Sequence, residues 1–222
     1  MANSTARGGA RAIEAVRAID LQLQIHEDGV TLQGHYRANR DGCMRIDVIL
    51  DGRRVFTEAL GSASSWHMSA SDTTPRPNST DGTAALRHGV EHPLRLYGLH
   101  EFGRRGQRLE LGASETLDGA RYDRVDAIYR DGYRAELYLD PATHLVQRMR
   151  EHKPLHVDVD PTARQLETRY SDYRAVAGVL FPFRSEELFL DSGEIASWSE
   201  VQQLQVNTTE ALAICSSAPP AT

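Results

Sequence analysis

The one stretch whose residue types and spacing match a catalytic template is His88-Gly-Val-Glu-His92. It fits the His-x-x-Glu-His pattern, in which two histidines hold zinc and the carboxylate, here Glu91, acts as base. The neighbouring residues argue against that chemistry. On a helical wheel His88 and His92 fall opposite Leu86, Val90, Leu94 and Tyr97, so a helix burying its apolar side turns both imidazoles to solvent. Pro93 disfavours a continuous helix through His92. A catalytic zinc also needs a third protein ligand, and Glu167, the acid available, sits in a strand pattern. A zinc-dependent hydrolase using His88, Glu91 and His92 is therefore the remote alternative. The expectation is a non-enzyme with no catalytic residues, no metal and no cofactor.

Other templates fail sooner. The chain has no Gly-x-Ser-x-Gly elbow, no phosphate-cradling Gly-x-x-x-x-Gly-Lys and no Gly-x-Gly-x-x-Gly. Cys43 follows an Asp-Gly turn without an assigned base, and the pairs Asp123 with Asp126 and Asp158 with Asp160 fit a solvated strand face. Two cysteines, Cys43 and Cys215, are too few for a disulfide scaffold. They either form one bridge in an oxidising compartment or lie apart as buried thiols. A net charge of -6 without a Lys/Arg run excludes nucleic acid as the expected partner. Lys153 is the single lysine. No stretch approaches the ~20 apolar residues of a membrane span, and the first residues lack the apolar core of a secretory leader.

The elements that must position any site are mostly strands. Residues 5–20 carry Ala6, Ala10, Ile13 and Val16 on one arc, which predicts an amphipathic N-terminal helix. Over 21–68 the period changes to two, broken by Glu27-Asp-Gly29, Arg40-Asp-Gly42 and Asp51-Gly52, which are hairpin signals. Residues 69–81 are polar and contain two prolines, so they read as a loop. Asp81 then caps an apolar-faced helical segment, 82–98, kinked or split at Pro93. Alternation returns over 107–206, leaving 207–222 as a tail, and about eleven strands are expected in all. So many antiparallel strands leave exposed edges in a flat sheet, which curling relieves. The expected fold is a single, mainly β domain: a highly curved, half-open antiparallel β-barrel with an N-terminal helix and an inserted helical lid (α+β). A barrel that wide is plugged by helices or holds a ligand.

A series of turns and strand ends carries a family resemblance. It runs through Tyr97-Gly-Leu-His100, Leu109 to Glu115, Asp118-Gly119, Arg130-Asp-Gly132, Tyr138 to Thr143, and Ser171-Asp-Tyr-Arg174 followed by Gly178-Val179 and Phe181-Pro-Phe183. Val206-Asn207, the stretch Ala6 to Ile13, and Trp66 after Gly61 extend it over nearly the whole chain. With these residues the sequence resembles the LolA-like superfamily of bacterial periplasmic lipoprotein carriers and lipoprotein-sorting proteins. The resemblance implies a half-barrel whose concave face receives acyl chains under a lid, and no catalytic residues. It also implies the periplasm of a Gram-negative bacterium, the leader being absent from this sequence, and a lipid or acylated protein as partner, with inner- or outer-membrane lipoprotein machinery beyond. The same fold could instead serve as a lipid-sensing regulatory module.

The residues expected to line the cavity are the large apolar ones that alternate away from the charged face: Ile46, Val48, Trp66, Met68, Leu137, Leu139, Phe181 and Phe183. Leu86, Val90 and Leu94 join them from the lid. One slip of strand register would move a whole strand's set to the other face.

Overall fold

The structure, a computed structural model, describes residues 2–62 and 64–216. Two short helices, α1 (Ala2–Ala6) and α2 (Ala10–Ala15), lead into β1 (Ala18–Glu27), β2 (Val30–Asn39), β3 (Met44–Leu50), β4 (Arg53–Leu60), β5 (Ser65–Ser69) and β6 (Arg76–Pro77). Helix α3 (Thr80–Glu91) and two 3-10 turns, Leu99–Glu101 and Gly103–Arg105, separate these from β7 (Arg108–Leu111), β8 (Glu115–Leu117), β9 (Ala120–Ile128), β10 (Arg134–Leu139) and β11 (Val146–Lys153). Three long strands follow, β12 (Arg164–Val176), β13 (Val179–Phe189) and β14 (Ile195–Val206), and α4 (Thr209–Leu212) precedes a last 3-10 turn, Ile214–Ser216.

Asp-Gly pairs reverse the chain as their chemistry requires. Asp28 and Gly29, Asp51 and Gly52, and Asp118 and Gly119 all have φ between 49° and 80°, the paired positive values of a two-residue hairpin turn. The result is one antiparallel sheet of 14 strands in the order β6-β5-β4-β3-β2-β1-β14-β13-β12-β11-β10-β9-β7, with β8 pairing β9. It is open, with β6 and β7 at its edges. The sequence reading undercounts it by three: β5 is a short strand at the end of the alternating stretch, β6 lies within the stretch read as a loop, and Arg108 to Glu115 divides into β7 and the start of β8. Within the motif Ser171-Asp-Tyr-Arg174, Asp172 takes φ 53°, while the β12–β13 register is the same on both sides of it, Ser171 facing Arg184 and Tyr173 facing Pro182.

The N-terminal helix predicted over 5–20 is shorter and broken. Gly8 and Gly9 have φ 115° and 95°, and a Cβ on Gly8 would lie 1.9 Å from the Gly178 carbonyl oxygen of the β12–β13 turn, so only glycine fits there. Residues from Ala18 onward belong to β1. Helix α3 starts earlier than predicted, with Ser79, not Asp81, as its N-cap, accepting from the Gly82 N–H. It ends at Glu91, and 92–98 continue without helix.

Helix α3 also shows how far the sheet bends. Thr83 Oγ1 lies 2.6 Å from Ser65 Oγ on β5, while His88 Nε2 lies 2.8 Å from Asp131 Oδ2 in the β9–β10 turn. Nine strand steps separate β5 from β10 in the sheet order, which would be roughly 43 Å in a flat sheet. The whole helix is only about 18 Å long. The sheet therefore curves around it.

The ends of the chain meet. β1 pairs with β14 from Ile19–Val206 to Glu27–Ser197, and the side-chain oxygen of Asn207 accepts the backbone N–H groups of Arg17 and Ala18. The Cys43 and Cys215 sulfurs are bonded, with a Cα–Cα distance of 5.2 Å, fixing the C-terminal turn beside the β2–β3 connection across 172 residues of sequence. The part of the predicted tail at 217–222 lies outside the described residues. Replacing both cysteines by serine is expected to lower unfolding stability in urea by about 2–5 kcal/mol, because the bond closes a long loop. An unchanged unfolding midpoint would show that it constrains nothing.

Candidate functional site

Strand register assigns every side chain to a face, and cross-strand rows run over the concave side of β1–β5. The first row is Ile19, Ala38, Met44, Leu60 and Ser65; the second Leu21, Tyr36, Ile46, Glu58 and His67; the third Leu23, Gly34, Val48, Phe56 and Ser69. Burial falls along the strands. Every member of the first row is buried, whereas Ile46, Glu58 and His67 in the second and Leu23, Val48, Phe56 and Ser69 in the third are only half-buried. One end of the concave face is filled by protein; towards the other, the side chains of the rows, apolar ones among them, are only half-buried.

The filled end lies under α1, α2, α3 and residues 92–102. Ile13 and Val16, Val90, Leu96 and Tyr97 pack with Leu21, Tyr36, Met44, Leu60, Phe181 and Phe183, with Ile46 and Leu86 at the margin. A second cluster joins Leu94, Leu99 and Phe102 to Ala127, Leu137, Leu139 and Met149. The expected lining residues thus come together in two groups, apart from three. Val48 lies on the concave wall beyond both clusters. Trp66 and Met68 lie on the opposite face, because they pair with Ala59 and Thr57, which pair with Arg45 and Asp47. There Arg45 sits 5.8 Å from the Trp66 ring centroid, and Arg54 contacts the Met68 sulfur at 3.9 Å. The expected sharing of a face fails because the residues between β4 and β5 shift the alternation by one.

Two arginines hold the covering segments down. Arg7 is fully buried, and its guanidinium donates only to backbone carbonyls: Leu180 of β13 at 3.2 Å, Tyr97 at 3.0 Å, Leu94 at 3.1 Å, and Pro93. The Phe181 ring lies 5.8 Å away. Burial pulls its pKa down to about 10, so it stays charged at neutral pH. Arg40, after β2, donates to the carbonyls of Val16 (2.6 Å), Ile13 (2.9 Å) and Leu96 (2.6 Å) and pairs with Glu101 at 2.6 Å. Burial alone would raise the Glu101 pKa, but hydrogen bonds from Arg40 and the Gly98 N–H hold it below its ordinary value. Neither arginine stood out in the sequence, since their acceptors are carbonyls that no side-chain pattern announces.

The histidine motif is dismantled. His88 Nε2 bonds Asp131 and its ring stacks on Tyr133 at 4.1 Å. His92 is not on α3 but follows it, with ψ 130°, which turns the imidazole inward instead of to solvent. Its Nε2 lies 3.0 Å from the Met149 sulfur and 3.1 Å from the Tyr170 hydroxyl, and Nδ1 accepts the Leu94 N–H. Burial drives its pKa well below the ordinary imidazole value, so it is neutral. Glu91 is paired with Arg105 at 2.9 Å and bonded by Gln107. The three residues of the motif thus have separate partners. Glu167 lies on the other face of the sheet among Arg148, Arg150 and Arg169. Among the described residues Glu14, His100 and Glu101 bring ligand atoms within 4.8 Å of one another. Arg104 and Arg40 already neutralise those two carboxylates.

Polar groups occupy the β11–β13 side of the concave face. Lys153 Nζ bridges Glu151 at 3.3 Å and Glu187 at 3.2 Å, and the Tyr133 hydroxyl donates to Glu151 at 2.6 Å. Burial alone would lower the Lys153 pKa, but the two carboxylates raise it.

No family model matches the chain, and no curated protein matches it. Solved structures do match. A LolA superfamily protein from Nitrosomonas europaea superposes with a TM-score of 0.59 at 11% identity, covering 96% of each chain. A DUF1329 family protein from Desulfovibrio piger gives 0.62 at 13% identity, covering 96% of this chain and 95% of that one. A putative outer membrane lipoprotein-sorting protein domain from Vibrio parahaemolyticus gives 0.57 at 12% identity, covering 87% and 86%. The chain has the LolA-like fold.

Replacing Arg7 by leucine is expected to cost about 3–5 kcal/mol, because four buried carbonyls lose their donor. Amide exchange over 93–102 should accelerate more than that of β13 and β14. Equal acceleration everywhere would mean that Arg7 does not act on the cover.

Proposed function

We propose that this chain is a non-catalytic binding or carrier protein of the Gram-negative periplasm, which shelters a lipid, an acyl chain or an acylated protein against its concave face. The observation that carries the reading is the fall in burial along the concave rows: apolar side chains on an inward face, beneath a helix, left half-covered by the protein's own atoms. Apolar surface in that state gains about 0.8 kcal/mol for each methylene buried with it. An acyl chain supplies many.

In this reading Ile46, Val48 and Leu86 touch the ligand directly. Val90, Leu94, Leu137, Leu139, Phe181 and Phe183, already packed between cover and sheet, set the depth to which a chain can reach. The fold shared with lipoprotein-sorting structures supports the carrier role, as does the separation of the zinc-motif residues. The Cys43–Cys215 bond fits an oxidising compartment, and no helix among the described residues is long and apolar enough to cross a membrane.

Delipidated protein should bind a fluorescent fatty acid. Ile46→Glu should weaken that binding by at least about tenfold, since a charge then faces the apolar wall. Trp66→Ala, on the opposite face, should leave it unchanged. Absence of binding by the parent protein, or equal binding by Ile46→Glu, would refute the assignment.

A further inference from the structure

The segment from Pro154 to Ala163 crosses from the ends of β11 and β12 to β1 and α3, at the half-open end of the concave face. Leu155 and Val157 are half-buried, residues 158–163 are exposed, and the polar attachments are few. His156 Nε2 lies 2.6 Å from Glu27 Oε1 at the end of β1. The Asp158 carboxylate lies 3.3 Å from the Ser79 backbone nitrogen, at the N-terminus of α3, and against Gly82, where a Cβ would meet Asp158 Oδ2 at 2.3 Å. A bridge between His156 and Asp160 holds the segment's own turn together. Proline stands at each side of that turn, Pro154 and Pro161, and Val159 at its tip is 84% exposed.

The two ends of the concave face are therefore closed very differently. Lifting the cover at the filled end strips a fully buried guanidinium of its acceptors and breaks two apolar clusters. Moving the 154–163 segment breaks one ion pair, whose histidine is 54% exposed, contacts to a helix end, and the partial burial of Leu155 and Val157, but no fully buried side chain. Local opening follows the weaker attachment.

We propose that residues 154–163 form a strap that gates the hollow, closed by the His156–Glu27 ion pair and opened when that pair loses its charge. This deepens the binding reading by assigning its route of entry. The contacts of residues 154–163 with β1 and α3 are features of this structure whether or not the ligand is a lipid.

The charges around His156 fix the direction of the pH response. Glu27 of β1, Glu58 of β4 and Glu187 of β13 face it, Asp158 and Asp160 lie on its own segment, and Lys153 stands beside Glu187. The hydrogen bond to Glu27 raises the His156 pKa above 6.5, against the opposing effect of burial, and Glu187 and Glu58 add to the rise. The same hydrogen bond lowers the Glu27 pKa below 4.5. The latch is thus intact between the two values. It is lost as pH rises through the raised histidine pKa, and again as pH falls through the depressed glutamate pKa. Salt loosens it because the pair is partly exposed.

The test uses the full chain with Ile46→Cys as reporter, the Cys43–Cys215 bond intact, and the rate of labelling by a thiol reagent corrected for thiolate fraction with an unfolded control. In the parent background the corrected rate should rise about three- to fivefold as pH passes through the His156 transition, the range a partly exposed ion pair supplies. Adding His156→Ala should make labelling fast and independent of pH. Adding His156→Arg, which keeps a positive charge on the strap, should make it slow and independent of pH. The strap is refuted if His156→Ala labels as slowly as the parent, or if the pH dependence survives in either variant. Should fatty-acid binding fail while labelling follows these three patterns, the gate stands and the lipid reading falls.

Discussion

A buried positive charge with only carbonyl acceptors organises this molecule. Arg7 leaves water completely, and its hydrogen bonds go to β13 and to residues 93–97. Desolvating a guanidinium is costly unless every donor finds a partner. The turn after α1 that carries Arg7, the strand that receives it and the cover it holds must therefore be formed together. Gly8 allows the approach, since any side chain there would strike the β12–β13 turn. Arg40 repeats the device from β2, binding carbonyls of α2 and of the cover and adding a carboxylate, Glu101.

With one end of the concave face fixed in this way, the other is less covered. Ile46, Val48 and Phe56 are half-buried there, and the packed end and the β1–β14 seam supply the stability that their fuller burial would add. The division is also one of mobility. Tightly bonded cover segments pack the filled end, and in the gating proposal the loop 154–163 closes the other. A binding protein needs both properties, but in different places.

Much of the fold was legible. The Asp-Gly turns, the alternation of most strands and the glycine and proline positions of β12 and β13 depend on local backbone chemistry, which sequence displays directly. What escaped was set by distant partners. The break at Gly8–Gly9 arises from contact with a turn 170 residues away. Strand β5 pairs with β4, and the two-residue β6 exists because β5 is there to pair with. His92 left its expected solvent-facing position because the helix stops one residue before it. Trp66 and Met68 moved to the other face with a shift in alternation between β4 and β5. Of the concave face, the apolar residues of β3, β10, β13 and α3 could be named from periodicity. The arginine clasps could not, because their acceptors are backbone atoms.

The central claim is that the concave face is shaped for an acyl chain supplied from outside the protein. Native mass spectrometry of protein isolated without delipidation from a bacterial periplasm tests it most directly. The claim predicts a population heavier than the bare chain by the mass of an acyl lipid, released intact on gentle activation. Only the bare mass, from protein shown to be folded, would contradict it.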